Sequence, residues 1–283
     1  MDTARPTPSA RDAIVAGATD CHFHIYDESY PALPNAVLRP PPAPISDYRA
    51  LQRRLGLTRA VIVQPSTYGT DNRLILDVVQ ALGPANTRAV AVVAEDIHDD
   101  ELARLHAGGV RGIRFNLSRP GGPGQDAIER MGQRVAQWGW HVQLNTSAQV
   151  LRELGPALLR QRDYPVVVDH MGHVPATALD GAEYQTLADL LRAGATYVKL
   201  SGFYKVSAQG APHYADAVEL ARRLVEIAPD RMLWGSDWPH PTESAKGNAP
   251  DDAILFGLLA EIAPDKPTRT KILAENPARL YGF

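Results

Sequence analysis

His22 and His24 stand two positions apart in the run "DCHFH". Side chains two apart on a β-strand share a face, so a strand here presents two imidazoles together. A second apolar run, "VVVDH", closes on Asp169 and His170, and a third ends in "LWGSDWPHP" with Ser236 and Asp237. Histidine pairs with a further His and an Asp are ligands of metal-dependent hydrolase sites. The same groups serve without a metal, the carboxylate as a base toward water and the imidazoles as stabilisers of a developing oxyanion. Each residue also has a bland reading: Asp237 as a helix cap, and His22, His24 and His170 as satisfied structural histidines.

Around these lie groups suited to holding an acidic, oxygen-rich molecule. Arg114 ends the run "VRGIRFN" and has a planar fork that grips a carboxylate with two donors; a buried structural ion pair is its bland reading. Ser66, Thr67, Tyr68 and Asn72 crowd hydroxyls and an amide into "PSTYGTDN", although Thr70 and Asp71 there also suit a turn and a helix start. Asn116 and Asn145 close two runs, and His173 and Lys205 follow two others. Trp238 and His240 suit the wall of a pocket, with a proton-shuttle role as a further reading of His240 and a solvated loop lysine as the bland one for Lys205.

Such groups need a scaffold that gathers them. Eight short runs rich in Val, Ile and Leu read as strands at residues 19–24, 60–65, 89–94, 110–116, 141–145, 165–170, 197–201 and 232–237. Continuous apolar runs of this kind suit parallel strands buried on both faces. Between them lie helical patterns such as "SDYRALQRRLG", with Tyr48, Leu51 and Leu55 on one stripe and Gly56 as its stop. "DDELARLHAGG", "YADAVELARRLVEIAP" and "DDAILFGLLAEIAP" read the same way. Eight strand–helix units predict a single α/β domain, a (β/α)8 TIM barrel, over residues 16–283 after a tail at 1–15. Polar residues end seven of the eight runs, where barrels of this kind carry their reactive groups. The Pro-rich stretch from Pro31 to Pro44 reads as an ordered flap over the mouth.

The bulk properties exclude other classes. With 283 residues and a net charge of −3, general nucleic-acid or membrane-surface binding is not expected. No apolar run approaches the ~20 residues of a bilayer span. The single Cys21 forbids an internal disulfide and suits a reducing cytoplasm.

Taken together, "DCHFH", "VIVQPSTYGTDNR", "GVRGIRFN", "VVVDHMG", "LWGSDWPHP" and "NPARLYGF" resemble the amidohydrolase superfamily, from about Thr19 to the C-terminus. The likeness is to its 2-pyrone-4,6-dicarboxylate lactonase branch, near galactarolactone isomerases and sugar-lactone enzymes. It implies a cytoplasmic catabolic hydrolase that opens a carboxylate-bearing lactone, with Asp237, His22, His24 and His170 as catalytic residues. Substrate binding would fall to Ser66, Thr67, Tyr68, Asn72, Arg114, Asn116, Asn145, His173, Lys205 and His240. A small acidic lactone is the only partner expected, and no oligomeric state is assigned.

Metal-dependent members of that superfamily place a further ligand on strands four and five, where this chain has "IRFN" and "VQLN"; His141 begins its strand and so stands at the wrong end. The resemblance therefore implies no cofactor, with weak Zn²⁺ binding at His22 and His24 left open. Pro120, His173 and Lys205 stand where the dicarboxylate lactonases carry Arg, and Asn145 replaces an aromatic, which points away from the planar pyrone itself. A galactarolactone-type isomerase is the first rival reading, and a metal-dependent decarboxylase or amidohydrolase the second.

Overall fold

The computed structural model describes residues 15–119 and 121–283. The proposed tail, apart from Val15, and Pro120 lie outside the described residues. All eight apolar runs form strands: β1 (Thr19–Phe23), β2 (Arg59–Val63), β3 (Thr87–Ala91), β4 (Val110–Asn116), β5 (His141–Asn145), β6 (Val166–Val168), β7 (Thr196–Leu200) and β8 (Met232–Trp234). They pair in parallel and in chain order. Past the end of β8 the chain returns to β1, where Asp237 N–H donates to the His22 carbonyl at 2.8 Å and His24 N–H to that of Trp238 at 2.7 Å. The result is a single, nearly closed (β/α)8 barrel. Its closing seam is made by the residues that carry the candidate chemistry.

Two strands are only half as long as their apolar runs. β6 stops at Val168 and β8 at Trp234 because the backbone turns left-handed soon after, at His170 (φ 52°) and Asp237 (φ 62°). A pleated strand cannot continue through that region, and for residues other than glycine it is sparsely populated. Met171, His173 and His240 share the left-handed conformation. Such backbone persists where the surroundings impose it, and it gathers at functional sites.

The helices follow the sequence pattern. Ile45–Leu55 stops at Gly56, whose φ of 71° only glycine adopts freely, and whose N–H caps the carbonyls of Arg53 and Gln52. Asp99–Ala107 carries three acids in its first turn, where the helix dipole favours them. Ala215–Ile227 buries one apolar stripe. The "DDAILFGLLAEI" pattern, expected as one helix, is split into Asp252–Gly257 and Leu259–Ile262. The break falls directly after Gly257, a residue of low helix propensity.

The Pro-rich stretch lies over the mouth and is tied down by backbone bonds. Tyr26 and Ala43 exchange two of them, at 3.2 and 2.9 Å, and Leu33 N–H donates to Thr67 O at 2.8 Å. Below the polar strand ends, Cys21, Val61, Val63, Val90, Val167, Leu233 and Tyr281 form a separate apolar cluster that seals the barrel interior. No helix of the described residues is long and apolar enough to cross a membrane.

Candidate active site

Three imidazoles converge on one carboxylate. Asp237 Oδ1 lies 3.5 Å from His22 Nε2, 3.6 Å from His24 Nε2 and 3.9 Å from His170 Nε2. Its Oδ2 accepts the Tyr204 hydroxyl at 2.5 Å and lies 3.2 Å from Lys205 Nζ. Burial works against ionisation of Asp237, but Lys205 and the imidazoles outweigh it and hold the carboxyl well below the usual range. The group is therefore a carboxylate at any physiological pH. No side chain caps the helix Pro241–Ser244, so Asp237 is not serving as its cap.

The hydrogen bonds also assign ring protons. His24 Nδ1 is 2.8 Å from the Val63 carbonyl, which can only accept, so His24 carries a proton there and Nε2 is the nitrogen left bare in the neutral ring. His170 Nδ1 meets the Ser201 hydroxyl at 2.9 Å. Burial is the main cause that lowers the pKa of His22, to about 3, and of His170, so both are neutral.

Under the histidines lies a second charged knot. Arg114 reaches Asp169 Oδ2 through Nε and Nη2, both at 3.1 Å, and Gln143 donates to the same oxygen at 3.1 Å. Lys199, fully buried, sits 3.4 Å from Asp169 Oδ1, 2.7 Å from Gln143 Oε1 and 3.1 Å from His22 Nδ1. Burial opposes the charge on Asp169, but Lys199, His22 and Arg114 overcome it and keep the acid ionised.

Above them opens a small cavity, lined by His24, His170, Asp237, Lys205, Arg114, Asn116, Asn145 and Ser66 from among the expected residues. Asn145 Nδ2 donates to Asn116 Oδ1 at 2.9 Å, across the register pair that joins β4 to β5. His22 lies beneath this wall. The other expected binding residues do not line it. Thr67 donates to the Leu38 carbonyl of the flap, Tyr68 shares its hydroxyl with the Asp27 backbone, and Asn72 pins the end of β3 through both Val92 backbone groups. His173 bonds Asn145 at 3.0 Å, and His240 bonds Asp252 at 3.0 Å. Trp238 packs on Tyr48. These side chains have polar or packing partners within the protein because they build the rim and the loops.

Five residues that sequence reasoning passed over belong to the site. Tyr26 and Arg119 line the cavity, and Tyr204, Lys199 and Gln143 contact the groups already described. Three had a readable signal: Tyr26 continues the two-residue spacing of His22 and His24, Gln143 precedes Asn145 by two, and Lys199 precedes Ser201 by two. Tyr204 had none, since it stands on the short helix Phe203–Val206 after β7.

Tyr204 is a positioning residue for Asp237. A hydrogen bond to a charged group contributes about 1.5–3 kcal/mol, so Tyr204→Phe should raise the acid limb of kcat/KM by about one to two pH units. An acid limb that stays in place while the fold is intact would show that the phenol does not bear on the ionisation of Asp237.

Two sets of donors are close enough to surround a metal ion: His22, His24 and Asp237, and His22, Asp169 and His170, each within 4.8 Å of one another. In type and number they suit Zn²⁺. The hydrogen bonding of His22 does not. Its Nδ1 faces the Lys199 ammonium, which can only donate, so the ring proton sits on Nε2 and that nitrogen has no lone pair to offer.

The buried histidines also set the acid stability. His22 and His141 fall to about 3 and His173 to about 4, with burial the leading cause in each. The unfolded chain protonates these rings near pH 6.5, so their stabilisation is complete above that pH and is lost progressively as the pH falls from there through the folded values of about 4 and 3. At pH 5 each ring costs about 2 kcal/mol. Asp20, raised by burial to about 6, opposes them as a single group below that pH. The melting temperature should therefore fall steeply between pH 6.5 and 4.5; a flat profile there would mean that these rings are protonated in the folded protein.

The family model for amidohydrolases matches residues 19–283. A 4-sulfomuconolactone hydrolase of Rhizobium radiobacter is 36% identical over 278 residues, which cover 95% of this chain and 91% of that protein. A D-galactarolactone isomerase of Agrobacterium fabrum is 32% identical over 273 residues, covering 95% and 92%. The crystal structure of a probable 2-pyrone-4,6-dicarboxylic acid hydrolase from Acinetobacter baumannii, with citric acid bound, superposes with a TM-score of 0.80 at 26% identity, covering 94% of this chain and all of that one.

Proposed function

Because this chain belongs to the amidohydrolase family, we propose that it is a lactone hydrolase that opens a carboxylate-bearing lactone without a metal ion. The observation that carries this reading is the Asp237 carboxylate, set between Lys205 and three imidazoles in a cavity that Arg114 also lines. The curated relative that hydrolyses a sulfomuconolactone and the neighbouring structure with bound citrate both support an anionic substrate.

In the proposed reaction, water enters between the lactone carbonyl and Asp237, which takes one of its protons. The new hydroxide adds to the carbonyl carbon. The oxygen of that carbonyl becomes an oxyanion beside His170, which presents Nε2–H when Ser201 donates to Nδ1, and beside Lys205. Collapse of the tetrahedral adduct breaks the bond from carbonyl carbon to ring oxygen. The proton held on Asp237 passes to that departing alkoxide or enolate. The product acid ionises and releases one proton to solvent. Preorganised donors at an oxyanion typically contribute about 10²–10³ in rate.

The lone, buried Cys21 supports a cytoplasmic setting. An isomerase remains the second reading because of the galactarolactone relative. Incubation with a panel of sugar-acid, muconate-type and pyrone lactones in H₂¹⁸O, with and without a chelator, separates the readings. Hydrolysis yields an open acid with one labelled oxygen, undiminished by the chelator. A rearranged, unlabelled lactone would mark an isomerase. Loss of turnover on chelation, restored by Zn²⁺, would overturn the metal-free reading.

A further inference from the structure

We infer that Lys199 closes the histidine pair to divalent metal by holding His22 as the Nε2–H tautomer. The inference rests on the metal-free reading of this site and deepens it. Lys199 is carried by β7 into the barrel interior and is fully buried. The ammonium can only donate; it meets two acceptors, Gln143 Oε1 at 2.7 Å and His22 Nδ1 at 3.1 Å, and forms an ion pair with Asp169 Oδ1 at 3.4 Å. Gln143 is oriented to match, since its amide nitrogen is turned to Asp169 Oδ2.

The consequences reach the opposite edge of the ring. His22 Nε2 and His24 Nε2 are 3.2 Å apart, a separation that needs one proton between them. His24 donates its Nδ1–H to the Val63 carbonyl, and His22, held by Lys199 at Nδ1, supplies the shared proton from Nε2. The pair bonds to itself in place of offering two lone pairs to an ion. A metal-bound histidine ordinarily donates its other N–H to a carboxylate or carbonyl. His24 has that arrangement; His22 does not, because an ammonium stands at its Nδ1.

A carboxylate is nevertheless in reach. Asp169 Oδ1 lies 3.2 Å from His22 Nδ1, yet it is off-line and makes no hydrogen bond in this geometry. Without Lys199, that oxygen can accept Nδ1–H, and His22 Nε2 becomes a free donor beside His24 and Asp237. Lys199 also supplies positive charge at the base of the site, which repels a divalent ion.

Two measurements test this. In the wild-type protein, ¹⁵N NMR of the histidine rings should show His22 protonated on Nε2 and bare on Nδ1; the reverse tautomer overturns the inference. Calorimetric titration with Zn²⁺, and the visible absorption of added Co²⁺, should then show one ion per chain bound by Lys199→Met at least about tenfold more tightly than by wild type, the scale of effects from groups behind the ligands. Equal affinity in the two proteins also overturns it. Should Lys199→Met fail to fold, the wild-type tautomer decides alone. Neither readout uses a lactone. A chain that opens no lactone yet carries Nε2–H on His22 defeats the proposed function and leaves this inference standing.

Discussion

Asp237→Asn lowers kcat by about 10²–10⁴ and leaves KM near the parent value, the scale expected for loss of a general base. The substitution is close to isosteric, and asparagine accepts the left-handed backbone at this position as readily as aspartate does. The backbone bonds that join residue 237 to His22 and His240 do not involve the side chain. The amide still accepts from Tyr204, but it cannot take a proton from water. Thermal melting measured alongside kcat separates chemistry from stability. A variant that melts early and turns over at the parent rate would leave Asp237 a structural residue and the site without a base.

Arg114→Lys raises KM for an anionic lactone by about tenfold to a hundredfold, with a smaller change in kcat. Arg114 uses Nε and Nη2 on Asp169, while Nη1 has no hydrogen bond to another described residue and the side chain lines the cavity. It thus makes the buried ion pair that one reading of the sequence offered, and it faces the cavity as the substrate-contact reading requires. A lysine keeps the charge for Asp169 but cannot serve both with one ammonium. Charge-assisted hydrogen bonds contribute about 1.5–3 kcal/mol, which sets the range through about 1.4 kcal/mol per factor of ten. An unchanged KM in a folded variant would confine Arg114 to the ion pair. Arg114→Met should cost more, about 3–5 kcal/mol of stability, because it leaves a buried acid short of a partner.

By itself the sequence determined the barrel and the identity of the groups that meet at its mouth. Parallel strands buried on both faces read as local apolar runs, and the polar residues that end them need no knowledge of the rest of the chain to be found. The two-residue spacing placed His22 and His24 together, and extended one step it also covers Tyr26, Gln143 and Lys199. Tertiary structure alone decided what each group does there. Lys199 meets His22 from 177 positions away and Tyr204 meets Asp237 from 33, and neither encounter follows from a local period. The loop "PSTYGTDN" showed the same limit: of its hydroxyls and amide, only Ser66 faces the cavity, while Thr67, Tyr68 and Asn72 bond to the flap and to β3. In a strand the pleat fixes side-chain direction. In a loop it is fixed by whichever distant backbone group is left to satisfy, and that is known only once the chain has closed on itself.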